Sequence, residues 1–177
     1  MHRSTQGSLP AALLLVALLV QVSVLSRLPL PGATPDLVLL VLVGVALRGG
    51  PGLGLVAGFC AGLGLDVVPP ADHAIGRWAI VLCLIGYACG LLEDEVDRST
   101  IFPVLVAAAA SAVSVVGFVA LGVLIDDPRV STEAVLRVLP TVVAYDVLLS
   151  PFVLYAVFRL HRRMEIGQVI HSGGRVR

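Results

Sequence analysis

The sequence predicts an all-α integral membrane protein with six transmembrane helices, and three observations carry that expectation. Of 177 residues, 58% are apolar and 14% charged, against about 25% charge in an average soluble domain. Mean hydropathy is +1.00. Six apolar stretches, each near the length that crosses a hydrocarbon core of ~30 Å, account for about two thirds of the chain. Clusters of Pro, Gly and acidic residues separate them. A soluble domain is excluded, and the remaining segments are too short to build a core of their own.

Residues 9–26 form the first expected span. His2 and Arg3 ahead of it give the look of a signal peptide, but the apolar run exceeds the usual ~7 to 15 residues and no A-x-A site follows. Pro29, Pro31 and Pro35 lead to the second span, residues 36–47. At about 1.5 Å per residue this span covers only ~18 Å. Either the bilayer thins there, or Asp36 is drawn below the surface into a protein-lined recess. Arg48-Gly49-Gly50-Pro51 then turns the chain into a third span over residues 50–68, which Pro69-Pro70 ends. Residues 76–92 form the fourth, closed by Glu93-Asp94-Glu95. Residues 101–125 form the fifth, closed by Asp126-Asp127-Pro128. Residues 135–160 form the sixth, and residues 161–177 are a basic cytoplasmic tail whose His161, Arg162 and Arg163 suit anionic lipid.

Six spans put both termini on one side. Arg3, Arg48, Arg98, Arg159, Arg162, Arg163, Arg175 and Arg177 share that side, against Arg27, Arg77, Arg129 and Arg137 on the other. The excess marks the terminal side as cytoplasmic. Net charge is zero, so nucleic acid is not an expected partner.

The third span carries the most specific pattern. Gly50, Gly54, Gly58 and Gly62 recur every four residues, and Asp66 takes the next place. Such a stripe lets two backbones approach closely, as in G-x-x-x-G crossings, with Gly86 and Gly90 offering a second step. Its partner is either another helix of this chain or another protein. A phosphate-binding loop would need a preceding strand and a following Lys-Ser/Thr, and neither is present.

Asp66 and Asp146 are acids inside apolar segments, where a carboxylate is expensive and faces protein or water. Arg77 is the nearest cation to Asp66 in sequence on the same side, and an Asp66–Arg77 pair, with Asp36 and His73 near it, would make a polar cluster at the outer face. Its role is either architectural or direct contact with a partner or ligand. Asp146 lies roughly 16 Å along its helix from Val135, too deep for so short a side chain to reach water. A neutral aspartic acid hydrogen-bonding across helices is the structural reading of it. Pro151 frees the carbonyl of Val147 and predicts a kink one turn below the acid. Proton relay lacks a chain of titratable groups, since Gln21, Ser111 and Ser114 are the other polar residues at such depth.

Catalytic and cofactor signals are missing. Cys60, Cys83 and Cys89 sit in apolar stretches without C-x-x-C or a histidine at ligand spacing, so they read as buried thiols and no metal is expected. No G-x-S-x-G occurs. A membrane acyl- or phosphotransferase would have only Asp66, His73 and Arg77 to work with. No enzymatic activity and no cofactor are expected.

Pro35-Asp36-Leu37, Gly58-Phe59, Gly62-Leu63-Gly64-Leu65-Asp66, Gly76-Arg77, Tyr87, Gln21 in the first span and Pro151 in the last together resemble the rod shape-determining MreD family, over nearly the whole chain. The resemblance implies a six-helix protein of the bacterial cytoplasmic (inner) membrane, similar to the substrate-binding subunits of energy-coupling vitamin transporters. It would act as a non-enzymatic scaffold with MreC and, through it, the class B penicillin-binding protein and the RodA glycosyltransferase of cell elongation. Two departures stand out: Asp146, where the family more often has an amide, and Pro69-Pro70-Ala71-Asp72-His73, which is longer and more polar than usual. The alternative is a substrate-binding membrane subunit of a small-molecule transporter. By resemblance that would carry A-x-x-x-A on its first helix, a spacing that Ala11, Ala12 and Ala17 do not give.

Overall fold

A computed structural model of the chain describes residues 4–27, 33–68, 75–126 and 132–173. These form five α-helices: α1 (Ser4–Ser23), α2 (Leu37–Val67), α3 (Arg77–Gly90), α4 (Phe102–Leu124) and α5 (Thr132–Gly173). Short 3-10 helices follow α1 at Leu25–Arg27 and α3 at Glu93–Arg98. By length and composition α4, the Arg137–Arg163 part of α5 and α2 taken as one stretch are sufficient to cross a membrane, although α2 is folded in two, and Ser8–Ser23 and Arg77–Gly90 are shorter apolar helices.

The 31 residues of α2 are not one rod. Gly50 has φ 77° and ψ 178°, outside the helical region, and a Cβ at Gly54 would lie 3.0 Å from that of Ala46. Residues eight apart in a straight helix are separated by ~12 Å along the axis, so the chain doubles back here. Glycine supplies the positive φ that an L side chain resists, and Pro51 starts the returning helix, where its missing N–H costs nothing. We call the two halves α2a (37–49) and α2b (51–67). Six helical segments result, in the order the sequence predicts.

The short second segment has a physical explanation in its surroundings. Every residue from Val38 to Leu47 is buried, with Leu39, Leu40, Leu42 and Val43 fully so. Helix α2a is therefore the central post of the bundle, enclosed by protein, and its length need not match the bilayer. Leu154 and Val157 of α5 close against Gly44, Gln21 of α1 reaches its start, and Leu42 touches Gly86 of α3. Lipid tails are as apolar as leucine, so close packing and hydrogen bonds between helices, rather than transfer from water, hold such a bundle together.

The last helix runs on past the expected end of the sixth span, as α5 continues to Gly173. Pro151 lies inside it, and the hydroxyl of Ser150 donates to the carbonyl of Val147 at 2.9 Å. That is the carbonyl whose usual partner proline removes.

Candidate functional site

At one end of the bundle the helices are joined by aspartates that bind backbone N–H groups. At the end of α2b, Asp66 is fully buried. Its Oδ2 accepts from the N–H of Gly76 at 2.9 Å and of Ala79 at 3.1 Å, and its Oδ1 from Trp78 at 3.1 Å. The first N–H groups of a helix have no partner within it, and they carry the positive end of its dipole. Asp66 satisfies those of α3 from the preceding helix. Arg77, only 4% exposed, donates from Nε to the carbonyl of Phe118 on α4 at 2.7 Å. Its guanidinium lies 3.7 Å from the centre of the Phe118 ring, on which Trp78 also stacks at 4.4 Å. One junction thus fastens α2b, α3 and α4.

A second junction lies at the start of α2a. The backbone N–H of Asp36 donates to Asp146 Oδ1 at 2.7 Å across 110 residues of sequence. Ser111 of α4 donates to Asp146 Oδ2 at 2.6 Å. Asp36 is the N-cap of α2 and accepts from Leu39 N–H at 3.0 Å, while Gln21 Oε1 accepts from Val38 N–H at 2.9 Å. Ser114 adds a bond to the carbonyl of Ser111 at 2.8 Å. Asp146 and Ser111 are fully buried. The backbone at Asp36, itself half-buried, thus meets a side chain well inside α5.

Between the junctions runs the glycine seam. A Cβ at Gly54 would strike the carbonyl of Gly86, one at Gly58 the carbonyl of Leu82, and one at Gly62 the backbone of Ala79 and Trp78. Gly90 abuts Gly50 and Pro51. Helices α2b and α3 are therefore antiparallel with backbones in direct contact, and the stripe faces a helix of the same chain. At the opposite end Arg48 pairs with Asp97 at 3.0 Å and lies 4.6 Å from the Phe158 ring centre, and Val96 of the 3-10 turn is buried.

Two apolar grooves open at the level of the spans. One, of about 480 Å³, lies between α1 and α2b and includes Leu15 and Val56; the other, of about 550 Å³, lies between α3 and α4 and includes Leu84 and Val113. Among the described residues no group of three or more His, Cys, Asp or Glu is placed to hold a metal.

The family model for rod shape-determining protein MreD matches residues 1–164. The chain belongs to the MreD family. Its role is therefore in rod-shape determination, as a structural membrane protein of a family not known for enzymes. No curated protein and no solved structure matches the chain.

Set against this MreD-family fold, the residues singled out in the sequence fall into place unevenly. Gly50, Gly54, Gly58 and Gly62 line one seam, and Asp66 and Arg77 meet at one junction. Asp146 is at another, together with Asp36. His73 and Pro69-Pro70 lie outside the described residues. Phe118, which carries Arg77, was missed, because an aromatic residue in an apolar run gives no sign of what packs on it. Gln21, Ser111 and Ser114 were noticed as deep polar residues, and that depth was the available signal. Their partners required the fold.

Proposed function

We propose that this MreD-family chain is a non-enzymatic scaffold of the cell-elongation machinery, organising peptidoglycan synthesis with MreC and, through it, the class B penicillin-binding protein and RodA. The match over residues 1–164 carries the reading. The geometry supports it further: the buried acids are engaged with helix ends, an arrangement suited to fixing a surface. In this proposal the chain crosses the bacterial cytoplasmic membrane six times with both termini inside, in an arrangement similar to the substrate-binding subunits of energy-coupling vitamin transporters.

Photo-crosslinkers at Leu15 and Val56 in one groove and at Leu84 and Val113 in the other, placed in the functional chain in native membranes, test the partnership. Capture of MreC from at least one groove is the expected result. Functional chains that capture no elongation protein from either groove overturn it. Topology is read separately, in a cysteine-free background: a cysteine at position 126 should label from outside the cell, and one at position 94 should not.

A further inference from the structure

The groove between α3 and α4 is apolar along its length and acidic at one mouth. Buried Val81 and Ile85 of α3 and Val106 and Ala110 of α4 form its floor, and exposed residues of both helices, Leu84 and Ala109 among them, form its rims. Gly117, which also lines it, has no explanation inside the bundle. Each seam glycine is required by a backbone that a Cβ would strike, whereas a Cβ on Gly117 would meet only the side chain of Val81, at 3.5 and 3.6 Å, an ordinary contact. Glycine inside a helix is destabilising relative to alanine, and in membranes small residues mark where a second helix comes close. Helix α3 has 14 residues, about 21 Å, short against a hydrocarbon core of ~30 Å. Association with another helix is one way a short segment relieves that mismatch. At Leu92 the groove runs into the 3-10 turn Glu93–Arg98, which has four acids and one arginine, with Glu93, Asp94 and Asp97 exposed. Cytoplasmic loops ordinarily carry the excess of basic residues, so an acidic turn at the mouth of an apolar groove is complementary to the basic flank of another protein's span.

We propose that the α3–α4 groove seats the transmembrane helix of a single-span protein whose cytoplasmic flank is basic. The helix packs along Ala109, Gly117 and Ala120, where α4 leaves room for its backbone, and its basic flank meets the turn Glu93–Arg98. Covering the groove also takes one side of the short α3 out of lipid. This docking rests on the topology of the scaffold reading, which puts the turn on the cytoplasmic side, and it adds which groove is filled and by what chemistry.

The test uses the full functional chain in native membranes, with photo-crosslinkers at Leu84 and Val113 in this groove and at Leu15 and Val56 in the other, and mass spectrometry to identify the residue joined to each. Adducts at Leu84 and Val113 should map to the transmembrane segment of a single-span protein with Arg or Lys just on its cytoplasmic side. Gly117→Leu fills the groove and should reduce those adducts about tenfold, with the protein monodisperse in detergent and the adducts at Leu15 and Val56 unchanged. Ala109→Leu, on the exposed rim, takes its place if Gly117→Leu does not fold. Asp94→Arg should reduce them about two- to fivefold, the range of an exposed ion pair. Adducts there with lipid alone, with a second copy of this chain or with a span lacking a basic flank overturn the proposal, as does a yield that either change leaves intact. The scaffold reading fails separately. A matching span from a protein outside cell elongation removes the scaffold and leaves the docking, whereas capture of MreC at Leu15 or Val56 alone removes the docking and leaves the scaffold.

Discussion

The two aspartate junctions use the same chemistry over very different spans of sequence. Asp66 serves the start of α3 from ten to thirteen residues away, whereas Asp146 serves the start of α2 from 110 residues away. In both, a carboxyl group supplies acceptors to the backbone N–H groups that a helix start leaves without partners. The difference is in what they fasten. Asp66 closes a hairpin whose halves already touch through the glycine seam, and Asp146 joins the first half of the chain to the last helix. The local junction sets the register of two neighbours, and the distant one sets the depth of the central post.

The largest expected effect is at the seam, because backbone contact leaves no room to yield. Gly58→Leu places a side chain into the carbonyl of Leu82, and overpacking costs ~1 to 3 kcal/mol, at the upper end or beyond where backbone blocks backbone. Gly52→Leu is the matched control, since a Cβ there meets nothing within 4 Å. Size-exclusion chromatography in detergent should show loss of the monodisperse protein for Gly58→Leu and little change for Gly52→Leu. Equal behaviour of the two would mean that the seam does not govern the hairpin.

How far each region was legible in the sequence follows from the same contrast. The i, i+4 glycine spacing and the turn at Gly49-Gly50-Pro51 are local features, and the six segments could be read from them and from hydropathy. Asp66 was legible as a buried acid, but sequence distance pointed to the nearest cation, whereas its described hydrogen bonds go to backbone N–H groups, which every residue but proline owns and no pattern reveals. Asp146 was visible as an acid too deep for water. That it meets Asp36 depends on which helices are neighbours, and an apolar helix looks alike on all its faces. The one hint was the shortness of residues 36–47, which already allowed for a recess.

The next effect is at Asp66. Asp66→Ala strips three N–H groups of their acceptor, at ~1 to 3 kcal/mol for each buried group left unpaired, so thermal stability should drop sharply. Asp66→Asn retains one oxygen and should fall between. A double-mutant cycle of Asp66→Asn with Arg77→Gln reads the proposed pairing of these residues. Coupling well beyond ~0.5 kcal/mol supports it, and additive effects reject it. Asp146→Ala should cost less, about 1 to 2 kcal/mol, because single hydrogen bonds between helices in a membrane are worth ~0.6 kcal/mol on average. If Asp146→Ala proves the more damaging, the distant junction is the principal fastening.

The smallest effect separates the cation–ring contact of Arg77 from that of Arg48. Phe118→Leu removes the ring on which Arg77 and Trp78 lie, but it leaves the Phe118 carbonyl, so the bond from Arg77 Nε survives. What is lost is a contact worth about 2 kcal/mol when desolvated and ~0.5 to 1 kcal/mol when exposed. Phe158→Leu removes the ring beneath Arg48, whose side chain is 24% exposed and is held as well by Asp97. The buried contact should therefore cost more to lose, by about 1 kcal/mol, when the two variants are compared by thermal unfolding in one detergent. Equal losses would show that Arg77 is as well solvated as Arg48, and the junction at the start of α3 would then depend on Asp66 alone.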